Sequence, residues 1–201
     1  MMRRSLLTGA FLALIATIAA APAARAQDAA AFVRNLGTQA IQVLGPSVSP
    51  TARLQRFREL FSDDFDLRGI GQFVLGRYWN VATPQQQQEF LRLFHEYISQ
   101  AYATRLSQYA GEPFRVTGVR VDPGSGETIV TSQIIRTNGS PVEVDWHLVG
   151  GSGAWRITDA YVAGVSMKVT QRDEFLSVIS RSPNGLDGLL AQLRQKVASA
   201  Q

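Results

Sequence analysis

The most restrictive feature of this sequence is a change in the spacing of its apolar residues. Before residue 114 they recur every three or four positions, as on one face of a helix, whereas between residues 114 and 162 they alternate with polar residues, as in a half-buried strand. After residue 170 the helical spacing returns. One block of strands between two blocks of helices does not fit the alternating order of a parallel α/β sheet. The sequence therefore predicts an α+β fold, with helices packed on one face of an antiparallel sheet.

Four segments inside the alternating block have strand signals, and turn residues separate them. The turn at Asn138-Gly139 is the strongest hairpin signal in the chain. A change of phase near Gly118 suggests a β-bulge. We therefore predict a curled, four-stranded antiparallel meander over residues 114–121, 128–136, 142–149 and 155–162.

Start and stop signals divide the flanking blocks into about six helices. Ser49-Pro50 and Thr83-Pro84 each place a capping hydroxyl before a proline, and Gln86 completes a capping box with Thr83. Thr170 is a similar cap for the helix that follows the sheet. The predicted helices cover residues 28–44, 50–61, 67–75, 84–109, 170–179 and 185–197.

The first 26 residues have the pattern of an export signal. Arg3 and Arg4 precede an apolar run at residues 6–21, and Ala24-Arg25-Ala26 offers small residues at the two positions that a signal peptidase reads. The sequence therefore predicts cleavage after Ala26, a periplasmic location and a single mature domain over residues 27–201. The arginine pair leaves both general secretory and twin-arginine export open.

Charge and cysteine content exclude several functional classes. The chain has 20 basic and 16 acidic residues, but three arginines lie in the predicted signal, so the mature net charge is near +1. A nucleic-acid-binding protein would show a basic face, whereas these charges are interspersed, which argues against a nucleic-acid partner. Cysteine is absent, which excludes a disulfide framework, thiolate metal sites and a thiol nucleophile.

Each motif that could support catalysis is incomplete. His95-Glu96 begins like a zinc-binding helix, but Ser99 stands where the second histidine must be. Residues 164–168 resemble a nucleophile elbow, yet Lys168 replaces its second glycine. The other histidine, His147, is expected to face solvent. We predict no catalytic residue, no metal and no cofactor, while an isomerase or hydrolase with a cone-shaped α+β fold stays open as a rival that would need a buried acid–base pair.

Three segments carry a family resemblance. The first is Phe-Asp-Leu at residues 65–67 with Phe-Val-Leu-Gly-Arg-Tyr-Trp at residues 73–79. The second is Tyr-Val-Ala-Gly-Val-Ser-Met at residues 161–167 followed by Thr-Gln-Arg-Asp-Glu-Phe at residues 170–175, and a weaker third lies at residues 185–190. Together they resemble the MlaC-type periplasmic phospholipid-binding proteins, also called toluene-tolerance proteins, and they span most of the mature chain in the family's order.

The resemblance implies a fold and a function. The fold would be a curled sheet wrapped by helices around an apolar cavity, and the protein would be a soluble periplasmic carrier rather than an enzyme. It would shuttle glycerophospholipid between the outer membrane and an inner-membrane ABC transporter and so maintain outer-membrane lipid asymmetry. An outer-membrane lipoprotein–porin complex would be its other partner. The hopanoid-associated HpnM subgroup of the family implies a polycyclic lipid as an alternative cargo, and a lipid-free envelope adaptor is a further alternative.

The carrier hypothesis predicts which side chains contact lipid. These are apolar residues on stripes of the helices and the sheet that must face one another: Phe73, Val74, Tyr78, Phe90, Phe94, Ile98, Val144, Trp146 and Ile157. Arg77 follows an apolar run and precedes Tyr78-Trp79, so we predict that it lies at the cavity mouth and binds the lipid phosphate. The alternative for Arg77 is a structural ion pair with Asp66 or Glu89.

Overall fold

A computed structural model describes residues 20–44, 48–106, 112–136, 139–151 and 154–199 of the chain. These residues form seven helices and five strands. In chain order they are α1 (Ala20–Leu44), α2 (Pro50–Asp64), α3 (Leu67–Leu75), α4 (Arg77–Val81), α5 (Pro84–Leu106), β1 (Phe114–Val121), β2 (Thr128–Ile134), β3 (Val142–Val149), β4 (Arg156–Val162), β5 (Val165–Ser166), α6 (Met167–Arg181) and α7 (Gly185–Ser199). The predicted α+β class is confirmed.

The strands form one open antiparallel sheet in the order β1-β2-β3-β4-β5. Each strand pairs with its neighbours in sequence, as predicted for a meander, and β1 and β5 are its edges. The register of β1 against β2 shifts between Val116 and Gly118, which confirms the predicted bulge. The hairpin residue Asn138 and residues 107–109 of the predicted fifth helix lie outside the described residues.

Two capping predictions account for well-defined helix starts. The Ser49 hydroxyl accepts a hydrogen bond from the Ala52 amide at the start of α2. Thr83 and Gln86 form a reciprocal capping box, in which each side chain accepts from the other residue's backbone amide, at 3.2 Å and 2.9 Å. These bonds satisfy amides that a helix leaves without partners in its first turn.

The prediction of four strands was wrong by one, because β5 is a two-residue strand after a very tight turn. Ala163 and Gly164 have φ angles of +50° and +80°, and Val162 pairs with Val165 across them. Two central residues with positive φ are typical of a type I′ hairpin. The usual sequence signal is Asn-Gly, and here an alanine occupies the first position, so the turn was missed.

Two helix predictions also need correction. Helix α6 begins at Met167 with Ser166 as its N-cap, not with Thr170, whose hydroxyl instead donates to the Ser166 carbonyl within the first turn. The prediction of about six helices omitted α4, a single short turn that follows Gly76. Gly76 has φ +53° and ψ −126°, a backbone conformation that favours glycine and that separates α3 from α4.

Helix α1 begins at Ala20, eight residues before its predicted start, and contacts the turn between β3 and β4. Arg25 donates to the Gly150 carbonyl at 3.1 Å, and the Trp155 indole donates to Asp28 at 3.0 Å. Residues 1–19 lie outside the described residues, so cleavage after Ala26 stays a prediction. Among the described helices, none has the length and apolar character needed to cross a bilayer.

The buried apolar side chains form two clusters. The helical cluster joins α2, α3, α5, α6 and α7, and consists of Phe61, Ile70, Val74, Leu75, Phe90, Leu93, Phe94, Ile98, Phe175, Ile179, Leu189, Leu190, Leu193 and Val197. The sheet cluster joins α1, the end of α2 and the sheet, and consists of Ala29, Val33, Leu36, Leu60, Val130, Leu148, Trp155 and Ile157. Phe65, between α2 and α3, packs against both clusters.

A series of polar contacts joins α2, α5 and α7 within the helical layer. Arg58 on α2 forms a bidentate ion pair with Glu96 on α5, with one contact at 2.8 Å. Gln100 donates to Glu96 at 2.7 Å and to the Val197 carbonyl of α7 at 3.3 Å. His95 stacks on Phe61 at 6.0 Å, and its Nε2 lies 3.2 Å from the Arg58 carbonyl, so this histidine is part of the packing.

Candidate functional site

The predicted lipid contacts divide between the two clusters. Val74, Phe90, Phe94 and Ile98 belong to the helical cluster, and Phe73 and Tyr78 pack against it. Ile157 belongs to the sheet cluster, and Trp146 packs against it. Val144 is buried on β3, beside Trp146. The structure thus brings six of the nine residues to one layer and places the other three on the sheet.

Aromatic rings contact one another within the helical cluster. Phe90 and Phe94, one turn apart on α5, stack with ring centroids 5.6 Å apart. Phe175 on α6 meets both rings edge-on, at 6.0 Å and 6.1 Å. Such edge-to-face pairs stabilise an aromatic cluster beyond the area that they bury. Phe175 was absent from the predicted contacts, although it lies on the apolar stripe that predicted the helix.

Cross-strand hydrogen bonds hold Val144 and Trp146, two of the predicted contacts on the sheet. The Trp146 indole donates to the Ser132 hydroxyl at 2.9 Å, and that hydroxyl donates to the Val144 carbonyl at 3.2 Å. Ser132 is fully buried, so this hydroxyl has both its donor and an acceptor position satisfied without water. The bonds fix the Trp146 ring against the sheet cluster.

The helical cluster and the sheet cluster meet where α2 ends and α3 begins. The Asp66 amide donates to the Ile157 carbonyl of β4 at 2.9 Å, and Phe65 forms an isolated parallel bridge with Ile157. The Asp66 carboxylate caps α3 by accepting from the Gly69 amide at 2.9 Å. The Phe65 ring lies 4.5 Å from that of Phe61 in the helical cluster. Ile157 is therefore attached to the start of the helix that contains Phe73 and Val74.

Arg77 is exposed at the start of α4, and neither of its predicted ion pairs is formed. Its Nη2 donates to the Tyr78 hydroxyl at 3.1 Å, and the guanidinium lies 5.1 Å from the centroid of the Tyr78 ring. Asp66 caps α3 instead, and Glu89 forms a bidentate pair with Arg194 at 2.6 Å and 2.9 Å. The structural alternative for Arg77 thus has no support from these two carboxylates.

A cavity of about 460 Å³ lies between α4 and α6. It is lined by Arg77, Tyr78, Arg172, Leu176, Ser177 and Ser180. Leu176 also packs against the helical cluster, so one wall of the cavity adjoins that cluster. Two of the predicted site residues therefore line a cavity that combines cationic and hydroxyl groups with apolar surface at the edge of the helical cluster.

A second cavity, of about 780 Å³, lies between α1 and α2 and has a different character. Its lining includes several polar and acidic side chains, among them Glu59, Asp63 and Asp64, and none of the predicted site residues. Burial, together with the neighbouring charge of Asp63, raises the pKa of Asp64. An acidic lining is unsuited to an anionic head group, so this cavity is a poor candidate for the predicted ligand.

A carboxylate–histidine pair lies on the polar face of the sheet, and it is the kind of acid–base arrangement that the rival enzyme hypothesis requires. His147 was expected to face solvent, but it is mostly buried, stacks on Tyr161 at 4.6 Å and pairs through Nδ1 with Glu127 at 2.9 Å. Glu127 also accepts from Thr158 at 2.6 Å. Burial favours the neutral acid, but these hydrogen bonds and the charges of His147 and Lys168 outweigh it and hold the pKa of Glu127 below its usual value.

Neither of the two cavities described above is lined by this Glu127–His147 pair. Within the described ranges, no group of three or more histidine, aspartate or glutamate side chains is arranged to hold a metal ion. The arrangement best fits a polar contact between strands.

Comparison with known families gives the decisive observation. The family model described as MlaC protein matches residues 37–195, which is well over half of the chain. The chain belongs to the MlaC family. The resemblance of residues 65–79 and 161–175 to that family is thereby confirmed, and the predicted export signal precedes the matched range.

Two curated proteins are similar to this MlaC family member over most of its length. Toluene tolerance protein ttg2D of Pseudomonas putida is 25% identical over 154 residues, which are 76% of this chain and 71% of the relative. The intermembrane phospholipid transport system binding protein MlaC of Haemophilus influenzae is 26% identical over 136 residues, which are 66% of this chain and 63% of the relative. In the second comparison the chain spans slightly less than two thirds of the relative.

A solved structure supports the MlaC fold. The phospholipid-binding protein from Ralstonia solanacearum, determined in complex with a phospholipid, superposes with a TM-score of 0.71 and 24% sequence identity. The match covers 86% of this chain and 98% of that structure. At this identity the likeness establishes the fold, with its open sheet and surrounding helices.

Proposed function

We propose that this MlaC family member is a periplasmic phospholipid carrier. The observation that supports it most is the pair of apolar clusters joined at Phe65, one of which is centred on the Phe90, Phe94 and Phe175 rings. The names of the Haemophilus relative and of the Ralstonia structure connect the family with phospholipid binding and transport. The protein acts as a carrier and not as an enzyme.

The physical chemistry of lipid transfer explains why a carrier is needed. Two acyl chains with about 30 methylenes in total would cost on the order of 24 kcal/mol to place in water, at about 0.8 kcal/mol per methylene. Free diffusion of the lipid is therefore negligible. A carrier that replaces one apolar environment with another makes the transfer nearly isoenergetic, so it needs no covalent chemistry.

The acyl chains are proposed to contact both clusters. The helical side would supply Phe73, Val74, Tyr78, Phe90, Phe94 and Ile98, and the sheet side would supply Val144, Trp146 and Ile157. Arg77 would lie near the head group. The attachment of Ile157 to the start of α3 supports this arrangement, because it places the two sides in contact at one end.

The carrier is proposed to exchange lipid between an outer-membrane lipoprotein–porin complex and an inner-membrane ABC transporter. A carrier whose transfer is nearly isoenergetic cannot set a direction, so direction would come from ATP hydrolysis at the transporter. This cycle would maintain the lipid asymmetry of the outer membrane.

Lipid analysis of the purified protein tests the proposal. Native mass spectrometry of the exported form should show a bound species whose extracted mass corresponds to a glycerophospholipid, at about one per chain. A polycyclic hopanoid mass would instead support the alternative cargo. Protein that stays lipid-free after incubation with phospholipid vesicles, although correctly folded, would contradict the carrier and favour an envelope adaptor.

A further inference from the structure

The cavity between α4 and α6 brings together two arginines from different elements. Arg77 comes from the first position of α4 and Arg172 from the second turn of α6, and both line the cavity. Of the six lining residues, none is a carboxylate. The cavity therefore has two positive charges that its own walls do not neutralise.

Each of these guanidiniums stands over an aromatic ring. Arg77 lies over Tyr78, and Arg172 lies 5.0 Å from the centroid of Phe73. In the described part of the chain neither has a carboxylate within 4.0 Å, whereas Arg58, Arg120 and Arg194 are each paired with one. A guanidinium over a ring is held in place without using its hydrogen-bond donors, and Arg77 keeps donors beyond the one that it directs to the Tyr78 hydroxyl.

The absence of a side chain at Gly76 leaves room for the guanidinium of Arg172 beside the cavity. A side-chain carbon added to Gly76 would lie 3.2 Å from Nη2 of Arg172. Gly76 thus provides both the sharp turn between α3 and α4 and the space for the guanidinium. The only other cation over the Phe73 ring among the described side chains is Lys168, at 4.9 Å, which adds to the positive charge of this edge.

The other lining groups match an oxyanion at the border of an apolar layer. Tyr78, Ser177 and Ser180 supply hydroxyl groups, and the Ser180 hydroxyl currently donates to the Ser177 carbonyl at 3.0 Å. Leu176, one turn beyond Arg172, both lines the cavity and packs against the helical cluster. Two guanidinium forks with nearby hydroxyls are typical of phosphate recognition, because each fork can donate two parallel hydrogen bonds.

We propose that the α4–α6 cavity binds a phosphate group, with Arg77 and Arg172 as its paired cationic donors. Under the carrier function proposed above, on which the source of the group rests, this phosphate is the phosphodiester of a lipid whose chains reach the helical cluster. Inorganic phosphate has the same chemistry and could occupy the same donors. The sequence alone did not indicate Arg172, because its place beside Arg77 on one cavity depends on packing between distant segments.

Lipid-loading assays with and without a phosphate group test the site. Delipidated wild type, Arg77→Gln, Arg172→Gln and the double variant are incubated with vesicles containing phosphatidylglycerol or diacylglycerol of the same acyl chains. The double variant should take up about tenfold less phosphatidylglycerol than the wild type, with diacylglycerol uptake unchanged. Arg68→Gln is the matched control, because Arg68 also stands over a ring, that of Trp79, and does not line the cavity.

The outcomes separate this site from the carrier function. The phosphate site is overturned if the double variant takes up as much phosphatidylglycerol as the wild type. It is also overturned if the double variant loses uptake of both lipids equally at an unchanged melting temperature. In both cases the carrier function stands. If the wild type takes up neither lipid, the carrier function fails. Titration with inorganic phosphate, followed by nuclear magnetic resonance of the arginine side chains, then decides: saturable shifts that the double variant lacks support the site, and their absence overturns it.

Discussion

The Ser166 hydroxyl donates to the buried carboxylate of Asp159 across 2.5 Å, and this contact joins the last long strand to α6. The same carboxylate accepts from the amides of Ala160 at 2.8 Å and Lys168 at 3.1 Å. Ser166 in turn accepts from the Val169 amide as the N-cap of α6. One side chain on β4 thus organises the start of the helix that positions Arg172.

Removing this carboxylate should destabilise the protein. Asp159→Ala leaves two amides and a hydroxyl without their acceptor in a site that is 3% exposed, so we expect the free energy of unfolding to fall by about 2–4 kcal/mol. Asp159→Asn should cost less, because an amide can still accept from backbone and donate to Ser166. Denaturant unfolding measures both, and the exposed Asp173→Ala on α6 is the control. A loss no larger than that of the control would show that the contact contributes little.

The β4–β5 turn offers a stabilising substitution. Ala163 adopts φ +50°, which is unfavourable for alanine and tolerated by asparagine. Ala163→Asn should raise the free energy of unfolding by about 0.5–1 kcal/mol. Gly164→Ala is the matched opposite, since φ is +80° there, and should lower it by about 1 kcal/mol. Thermal unfolding checks both; a melting temperature lowered by Ala163→Asn would contradict the role of the turn.

Acid should weaken the contact between Glu127 and His147. The folded pKa of Glu127 is lowered, so its ionised form stabilises the protein above the unfolded pKa, about 4.3, and this stabilisation is lost as pH falls through the folded pKa. Glu127→Gln should therefore cost about 1–2 kcal/mol near neutral pH and progressively less below about pH 4. Glu143→Gln, an exposed change on the same sheet, is the control. Parallel pH profiles of the wild type and Glu127→Gln would refute this role.

Photo-crosslinking should locate the lipid. Benzoylphenylalanine at Phe94 and at Trp146 should form lipid adducts that mass spectrometry detects, because both positions lie on the proposed apolar contact surfaces. Phe94 is 2% exposed, so the half-buried Phe73 provides a second helical position should the first variant fail to fold. Probes at the exposed Gln88 and Glu143 are the controls. Adducts confined to these outward positions would contradict the proposed contacts.

N-terminal sequencing of the exported protein tests the predicted signal. We expect the mature chain to begin at Gln27. Cleavage there would remove Arg25, with its bond to the Gly150 carbonyl and its position over Trp155, and would retain the bond between Asp28 and Trp155. An intact start in the membrane fraction would show that residues 1–26 are not a cleaved signal.

Local signals explain which elements were predictable. The bounds of α3 and β1 match the prediction, because Asp66 caps one and turn residues enclose the other. Helix α4 and strand β5 have five and two residues, too few to show a period, and both are defined by backbone geometry at Gly76 and Ala163. The start of α6 was misplaced because Ser166 and Thr170 are both good caps, and the long-range bond to Asp159 favours Ser166.

The candidate site was predictable where one helix sets the spacing. Phe90, Phe94 and Ile98 lie on one stripe of α5, so the sequence alone places them together. The approach of Arg172 to the start of α4 and the edge-on contact of Phe175 with Phe90 join segments about 80–100 residues apart. No periodicity reports such contacts, which depend on how α6 returns to pack against α3.

The division of the apolar interior at Phe65 has a mechanical consequence. Packing is continuous within the helical layer and within the sheet layer, and Phe65 alone among the described side chains of the two clusters belongs to both. Close packing resists displacement inside each layer, and the layers are joined at the end of α2, at the Phe65–Ile157 bridge and at the Asp159–Ser166 contact. A ligand that entered between the layers beside Phe65 would separate side chains there and leave the packing inside each layer intact.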